Sequence, residues 1–381
     1  MKIVIDISLA VGNRAGIGNY SYNLAKQLAK IDKKNKYTFF PFFCYIYHPD
    51  FKNIPLDFSN PNCKLKYKYL PKEWIDYLWK ESIIPKNDII GDCDILHSTS
   101  FCVPENIKSK LAVTIYDVSF VTHPQFHQEA NIQHCYNGTK KAVEKADVII
   151  AISEHTKNDL IKYFNCPPEK IKVTYLGYDQ KIFRVIKEKN KIQNILKKYN
   201  IKKSFIFNLG TIEPRKNIKG LIKAYSLLDN KTQNQHDLVI AGGKGWLNSE
   251  IYSLIKETNL EEKIKFLGYV DENDLPYLYN VAKCFVYPSF YEGFGLPPLE
   301  ALACACPVIS SNISSLPEVV GNAGLLIDPN DNQQISEAIK NVLINTSLRE
   351  NLKKKALLQA KKFSWELCAQ ETLSIYNQLL T

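Results

Sequence analysis

The chain has 381 residues, 45% hydrophobic and 23% charged, with a formal net charge of +10. That length accommodates two domains with separate cores, and that balance excludes a disordered or fibrous chain. No apolar run reaches the roughly 18–20 residues that cross a bilayer, which excludes a spanning helix. The sequence enters a strand at Lys2 with no signal-peptide layout, so a cytoplasmic location is expected. The ten cysteines form no matched Cys-x-x-Cys pairs and read as reduced thiols behaving as small core residues. The excess of cations suits a polyanionic partner, whether phosphate groups, an anionic membrane face or nucleic acid.

In chain order, residues 2–8 form a buried-type strand that runs into a glycine loop containing Gly12, Gly16 and Gly18. A helix follows, with apolar positions at Leu24, Leu28 and Ile31. Strand, glycine turn and helix start aim backbone amides at an anion. The loop departs from GxGxxG, and no acid stands at the spacing a dinucleotide ribose needs. Residues 37–47 are aromatic and extended, as in a core strand. Next, Lys64, Lys66, Lys68 and Lys72 interleave with Tyr67, Tyr69 and Trp74. A solvated strand edge leading into an amphipathic helix is the ordinary reading; base stacking and a membrane interface are the alternatives. Residues 94–97 and 111–117 read as parallel strands, whose carboxyl ends gather functional groups in doubly wound sheets. His97, Tyr116, Asp117 and His123 are therefore expected near the mouth of a cleft. Strand 147–153 precedes a helix for which Ser153 is the expected N-cap. Residues 181–203 hold nine lysines and arginines against Glu188 alone, the pattern of a solvated linker and helix.

A new strand at 205–209 ends in Gly210-Thr211-Ile212-Glu213-Pro214-Arg215-Lys216-Asn217. Adjacent cations at a helix entrance can offset phosphate charge, Arg by clamping two oxygens and Lys as a point charge. Strand-and-turn units recur at 238–246, with Gly242, and at 266–270, with Tyr269. An apolar strand at 282–286 then leads into a turn with Gly293 and Gly295. Pro297 and Pro298 suit a helix entrance, where their missing N–H groups cost nothing. Glu292 lies in this turn and Glu300 in the expected first helical turn. On these residues alone, an ordinary β–turn–α connection with two solvated glutamates remains open.

The EGFGLPPLEALA string at 292–303 carries the glutamate-x7-glutamate signature, and together with EPRKN at 213–217 it resembles the retaining glycosyltransferases of the GT4 family. The resemblance implies an α/β protein of GT-B fold, with two Rossmann-like doubly wound parallel-sheet domains facing across a cleft. Residues 1–183, joined by a closing helix at 363–381, would be the acceptor side, and 184–362 the nucleotide-sugar side. Such enzymes move a sugar from a nucleotide diphosphate to a hydroxyl, here of a glycan or lipid-linked saccharide. The strings look most like those of bacterial mannosyltransferases that build surface polysaccharide from GDP-mannose. A UDP-sugar donor is the runner-up, and a non-catalytic GT-B-like binding protein is the rival from another class. By resemblance, the catalytic set is Glu292, Arg215, Lys216, Asp117 and His123. The donor set is Gly16, Gly210, Thr211, Gly242, Tyr269, Gly293, Phe294, Gly295, Leu296 and Glu300. Glu292 would meet the sugar hydroxyls and Glu300 the ribose, while fixed positive groups stabilise the departing diphosphate. No cofactor, metal or nucleic acid is expected, and no Asp-x-Asp pair is placed to hold a metal. Peripheral contact with an anionic membrane is expected from relatives that use lipid-linked acceptors. Tyr116-Asp117 stands where such enzymes often carry His-Asp.

Overall fold

The computed structural model describes residues 1–10, 16–41, 59–66, 91–101, 103, 107–243 and 249–381. Residues 67–80 of the basic aromatic stretch, positions 12–15 of the first glycine loop and Cys44 and Cys102 lie outside the described residues. Contacts divide the chain into two units, Met1–Gly177 with Trp365–Thr381, and Tyr178–Ser364. The division falls earlier than the 183/184 boundary expected from the sequence. Residues 178–186 are tied into the second unit: Phe183 packs edge-on against Tyr279, and Asn280 accepts from the Ile186 amide and donates to the Arg184 carbonyl.

The first unit holds β1 (Lys2–Asp6), β2 (Lys36–Phe40), β3 (Cys63–Leu65), β4 (Ile95–Ser98), β5 (Lys110–Ile115), β6 (Val148–Ala151) and β7 (Ile171–Val173). They form one sheet in the order β3-β2-β1-β4-β5-β6-β7, with every pairing parallel. Helices cover both faces of such a sheet, so its strands are near-continuous apolar runs. Accordingly Ile3, Val4 and Ile5 of β1 and Leu111, Ala112 and Val113 of β5 are all buried. The order reverses direction between β1 and β4, the crevice where doubly wound sheets bind ligands. Helix Gly16–Ile31 packs against the closing helix Trp365–Leu379, where Trp365 meets Tyr20 at 6.4 Å between ring centroids. Ser153 caps helix Glu154–Phe164 as its sequence predicts, accepting from the Thr156 amide.

The second unit repeats the plan with β8 (Ser204–Leu209), β9 (His236–Ala241), β10 (Ile264–Gly268), β11 (Cys284–Tyr287), β12 (Val308–Ser311) and β13 (Gly324–Ile327). Its all-parallel order is β10-β9-β8-β11-β12-β13, with the reversal between β8 and β11. Ile206, Leu238, Val286 and Ile309 of the strands share one core with Leu221, Ile222, Ile335 and Ile339 of the covering helices. The basic stretch contributes helix Lys189–Lys198, which has no buried residue. Among the described residues no helix is long and apolar enough to cross a membrane. Six of the eight described cysteines are buried and all eight are free thiols.

Candidate active site

Two turns leave the carboxyl ends of β8 and β11, the neighbouring strands at the reversal of the second sheet. The first is pinned by glycine: Gly242, at the end of β9, has φ +137, and a Cβ there would lie 2.0 Å from the Gly210 carbonyl oxygen. Only a residue without a side chain allows that approach. Pro214–Lys216 then forms a single 3-10 turn, closed by Asn217 in the left-handed region at φ 54. The Asn217 side chain accepts from the Gly220 amide and donates to the Pro329 carbonyl, fixing the start of helix Ile218–Ser226. Arg215 and Lys216 therefore project from a rigid support. The second turn ends at Gly295, φ +115, where a Cβ would meet Leu316 at 2.8 Å. Helix Leu296–Ala303 begins there, with Pro297 and Pro298 at its entrance. Glu300 falls in the second turn of this helix rather than the first, because Leu296, not a proline, is its opening residue.

The two turns meet through a knot of charge. Glu292 Oε1 accepts from Lys216 Nζ at 2.6 Å, Ser289 Oγ at 2.6 Å and the Tyr287 hydroxyl at 3.0 Å. Its Oε2 accepts from Arg215 Nη1 at 2.9 Å. Arg215 Nη1 also donates to the Tyr291 carbonyl, and Nη2 donates to Glu213 Oε1 at 2.6 Å. Lys216 Nζ donates to the Tyr287 hydroxyl at 2.7 Å and lies over its ring. The backbone seals the arrangement: the Arg215 carbonyl accepts from the Phe290 amide, and Ser315 Oγ bonds the carbonyls of Glu292 and Phe294. Burial pushes the Glu292 carboxyl up, but the charges of Arg215 and Lys216, with the bonds from Lys216 and Ser289, overcome this and hold it at about 2. Burial and the neighbouring Arg215 charge pull Lys216 below its ordinary value, against the Glu292 carboxylate. Burial, then the Glu292 charge, keep the Tyr287 hydroxyl protonated well above its usual range, so it remains a donor. The family resemblance implies that the cations meet a diphosphate and Glu292 the sugar hydroxyls; in this structure these groups hold one another.

The remaining donor-side positions lie around the knot in different states. Gly293 is buried, and Phe294 is buried edge-on to Phe363. Gly210 and Leu296 are half-buried, while Thr211 is exposed. Tyr269 is 81% exposed at the end of β10, a ring with a free face. Glu300 is half-buried, and its Oε2 accepts from the Tyr279 hydroxyl at 3.3 Å. Burial, with the nearby Glu272 charge, pushes its carboxyl up to about 8.

In the first unit, Gly16 opens its helix with φ +21, and nothing lies within 4 Å of where a Cβ would be. Asp117 Oδ1 accepts from the amide and hydroxyl of Ser119, and Ser119 Oγ also meets His127 Nε2 at 2.9 Å. His123 is half-buried, bonded to Thr122 and stacked on Phe126. Two expectations need correction. His97 is not at a cleft mouth but fully buried, with Nδ1 on the Tyr376 hydroxyl at 2.6 Å and Nε2 on Thr114 Oγ1 at 2.8 Å. Burial lowers it to about 3, so it is a neutral strut between the sheet and the closing helix. Tyr116 likewise turns inward, donating to the Thr99 carbonyl at 2.6 Å and packing edge-on against Tyr20. Sequence reasoning missed Glu213, Tyr287, Ser289 and Ser315 as parts of the site. Their signal was proximity, since Glu213 lies in EPRKN and Tyr287 and Ser289 stand just before Glu292. Among the described residues no group of three or more histidine, cysteine or carboxylate side chains is placed to hold a metal ion.

Comparison with known proteins gives the family. The family model for glycosyl transferases group 1 matches residues 189–359, and that for glycosyltransferase family 4 matches 14–181. O-antigen chain mannosyltransferase B of Escherichia coli is 38% identical over 286 residues, 75% of this chain and 74% of that protein. The chain is a group 1 glycosyltransferase. Solved structures agree in fold. Sucrose-phosphate synthase from Thermosynechococcus elongatus superposes with a TM-score of 0.78 at 21% identity, covering 100% of this chain and 99% of that one. HepE from Anabaena, in complex with UDP-glucose, gives 0.77 at 18% identity, covering 99% of each chain. Both domains are thus the Rossmann-like domains of a GT-B glycosyltransferase, and every residue of the charged knot falls inside the group 1 segment.

Proposed function

We propose that this glycosyltransferase moves mannose from GDP-mannose, with retention, onto a glycan chain or lipid-linked saccharide of a surface polysaccharide, and that it needs no metal. The observation that carries the choice of sugar is the 38% identity to an O-antigen chain mannosyltransferase over three-quarters of the chain. The electrostatics support the reaction class. When the sugar leaves, negative charge builds on the diphosphate, and stabilisation is greatest from donors already fixed in a low-dielectric site. Arg215 and Lys216 are such donors: their side chains are 20% and 12% exposed, and they are the last two residues of a short turn. Glu292, ionised at neutral pH, accepts hydrogen bonds from the sugar hydroxyls once the donor takes over its cations. The Tyr269 ring and the glycine turns at Gly210 and Gly242 receive the nucleotide end, and Glu300 the ribose. No side chain of the knot is proposed as a covalent nucleophile; the acceptor hydroxyl attacks on the face the diphosphate leaves. Asp117 and His123 are proposed on the acceptor side, and the net charge of +10 suits peripheral attachment to an anionic membrane.

The test is a calorimetric panel of GDP, UDP and ADP with their sugars, followed by transfer assays with GDP-mannose in the presence and absence of EDTA. Tight GDP-mannose binding and chelator-resistant transfer are expected. Turnover with a UDP-sugar alone would replace the donor, and turnover that vanishes with chelator and returns with magnesium would overturn the metal-free mechanism.

A further inference from the structure

Arg215 divides its guanidinium between two carboxylates, Glu213 through Nη2 and Glu292 through Nη1. Glu213 is 6% exposed and stands on the same short turn as both cations. Glu213, Glu292, Arg215 and Lys216 together sum to zero charge, so a diphosphate meets little net Coulomb attraction until one carboxylate moves aside from the cations. The two are not equivalent. Glu292 belongs to the opposite turn and has Ser289 and Tyr287 as alternative partners. Glu213 shares the backbone of Arg215, whose following amide, that of Lys216, donates to the Glu213 carbonyl. When an anion enters, Glu292 is the carboxylate that exchanges and Glu213 the one that stays.

Resting on the reading that these cations receive the leaving diphosphate, we propose that Glu213 is a positioning residue for sugar transfer. Its carboxylate grips Nη2 of Arg215, so that Nη1 points to one place, filled by Glu292 in the free chain and by the diphosphate in the complex. Its charge also trims the attraction for the nucleoside diphosphate product and so speeds release.

Two variants separate grip from charge. Glu213→Gln keeps an oxygen for Nη2 but removes the charge; GDP should then bind about 10-fold tighter while kcat falls about 10-fold. Glu213→Ala removes both, and kcat should fall about 100-fold, as on loss of one fixed donor. Millimolar formate, entering the vacated space and regripping Arg215, should restore part of that rate. A purely structural role predicts a lowered melting temperature with no formate rescue and unchanged GDP affinity in Glu213→Gln, which would overturn the proposal. So would kcat and donor KM within twofold of wild type in both variants. If Glu213→Ala does not fold, the GDP affinity and kcat of Glu213→Gln decide alone. Wild-type protein that binds no sugar nucleotide would instead remove the functional reading itself.

Discussion

The two sheets each reverse strand order once and equip that reversal in opposite ways. At the β8/β11 reversal the second unit gathers two carboxylates and two cations, with hydroxyls serving only to hold them. At the β1/β4 reversal the described residues of the first unit are mostly neutral groups around Asp6. Asp6 accepts from the amide and hydroxyl of Ser8 and from Ser100 Oγ, while Thr99 Oγ1 donates to the Asp6 carbonyl. Beside it run Ser21–Thr99, Tyr116–Thr99, and the chain Tyr20–Thr114–His97–Tyr376. Satisfied hydroxyl networks specify a unique packing, but they exert little field. Fixed cations held in a buried cluster can exert a large one on a departing dianion once a carboxylate turns aside. Equal topology thus does not mean equal equipment, and the charged edge is the one suited to a charged leaving group.

Breaking the charged edge should give the largest effects. Glu292→Gln is expected to lower kcat about 1000-fold or more, since it removes the charge proposed to meet the sugar hydroxyls and unbalances the knot. Glu292→Ala should also destabilise the second unit, by about 3–5 kcal/mol, because a buried ion pair loses one partner. Four hydrogen bonds converge on the carboxylate that this variant deletes. Chemical denaturation alongside the transfer assay checks both statements. Lys216→Ala should come next, losing roughly 2–4 kcal/mol of transition-state stabilisation, about 30- to 1000-fold in kcat/KM. Transfer at the wild-type rate by that variant would remove the electrostatic account.

Breaking the neutral edge should cost stability and leave chemistry alone. His97→Phe strands the Tyr376 hydroxyl and leaves Thr114 with its bond to Tyr20, and should destabilise the first unit by about 2–4 kcal/mol with GDP affinity unchanged. The wild type carries a matching pH signature. The folded chain keeps His97 neutral down to about pH 3, whereas the unfolded chain takes up a proton near the ordinary value of 6.5. The His97 contribution is therefore complete above pH 6.5 and is lost as pH falls toward 3, at about 1.4 kcal/mol per pH unit. Denaturation midpoints of wild type and His97→Phe should converge across that window; parallel curves would mean that His97 titrates normally.

What was legible in the sequence followed from local signals. Apolar runs ending in glycine turns located both sheets, because a strand buried on two faces leaves no choice of residue type. EGFGLPPLEALA and EPRKN located the charged turns for the same reason, as rigid backbone needs particular residues. Partner choice was not legible. Nothing in the string tells that Arg215 and Lys216 bind Glu292 before they bind a ligand, or that Ser289 and Tyr287 supply its other bonds, since those pairings cross more than 70 residues in two cases. His97 misled because a histidine at a strand end looks the same whether it faces solvent or the closing helix. Tyr116 turns inward because the Thr99 carbonyl, 17 residues earlier in the chain, lies within reach of its hydroxyl.

The finest test of the contrast lies within the charged unit, at Glu300. Its carboxyl is raised to about 8 by burial and by Glu272, so at neutral pH it is a neutral acid on a helix whose neighbouring turn carries the ionised Glu292. A neutral acid can both donate to and accept from a ribose, and it does not repel the phosphates beyond it. Raising the pH through 8 ionises Glu300 and places a new anion beside an anionic donor, so donor affinity should fall about 3- to 5-fold between pH 7 and 9, a modest figure because the residue is half-buried and screened. Stability should move in the same direction. The folded chain retains a proton that the unfolded chain releases above its ordinary value of 4.5, so this contribution is full below pH 4.5 and declines up to about 8. Glu300→Gln cannot ionise, and its calorimetric donor affinity should be flat across the same range. A wild-type profile as flat as that of the variant would move the ribose contact away from Glu300 while leaving the knot at Glu292 in place.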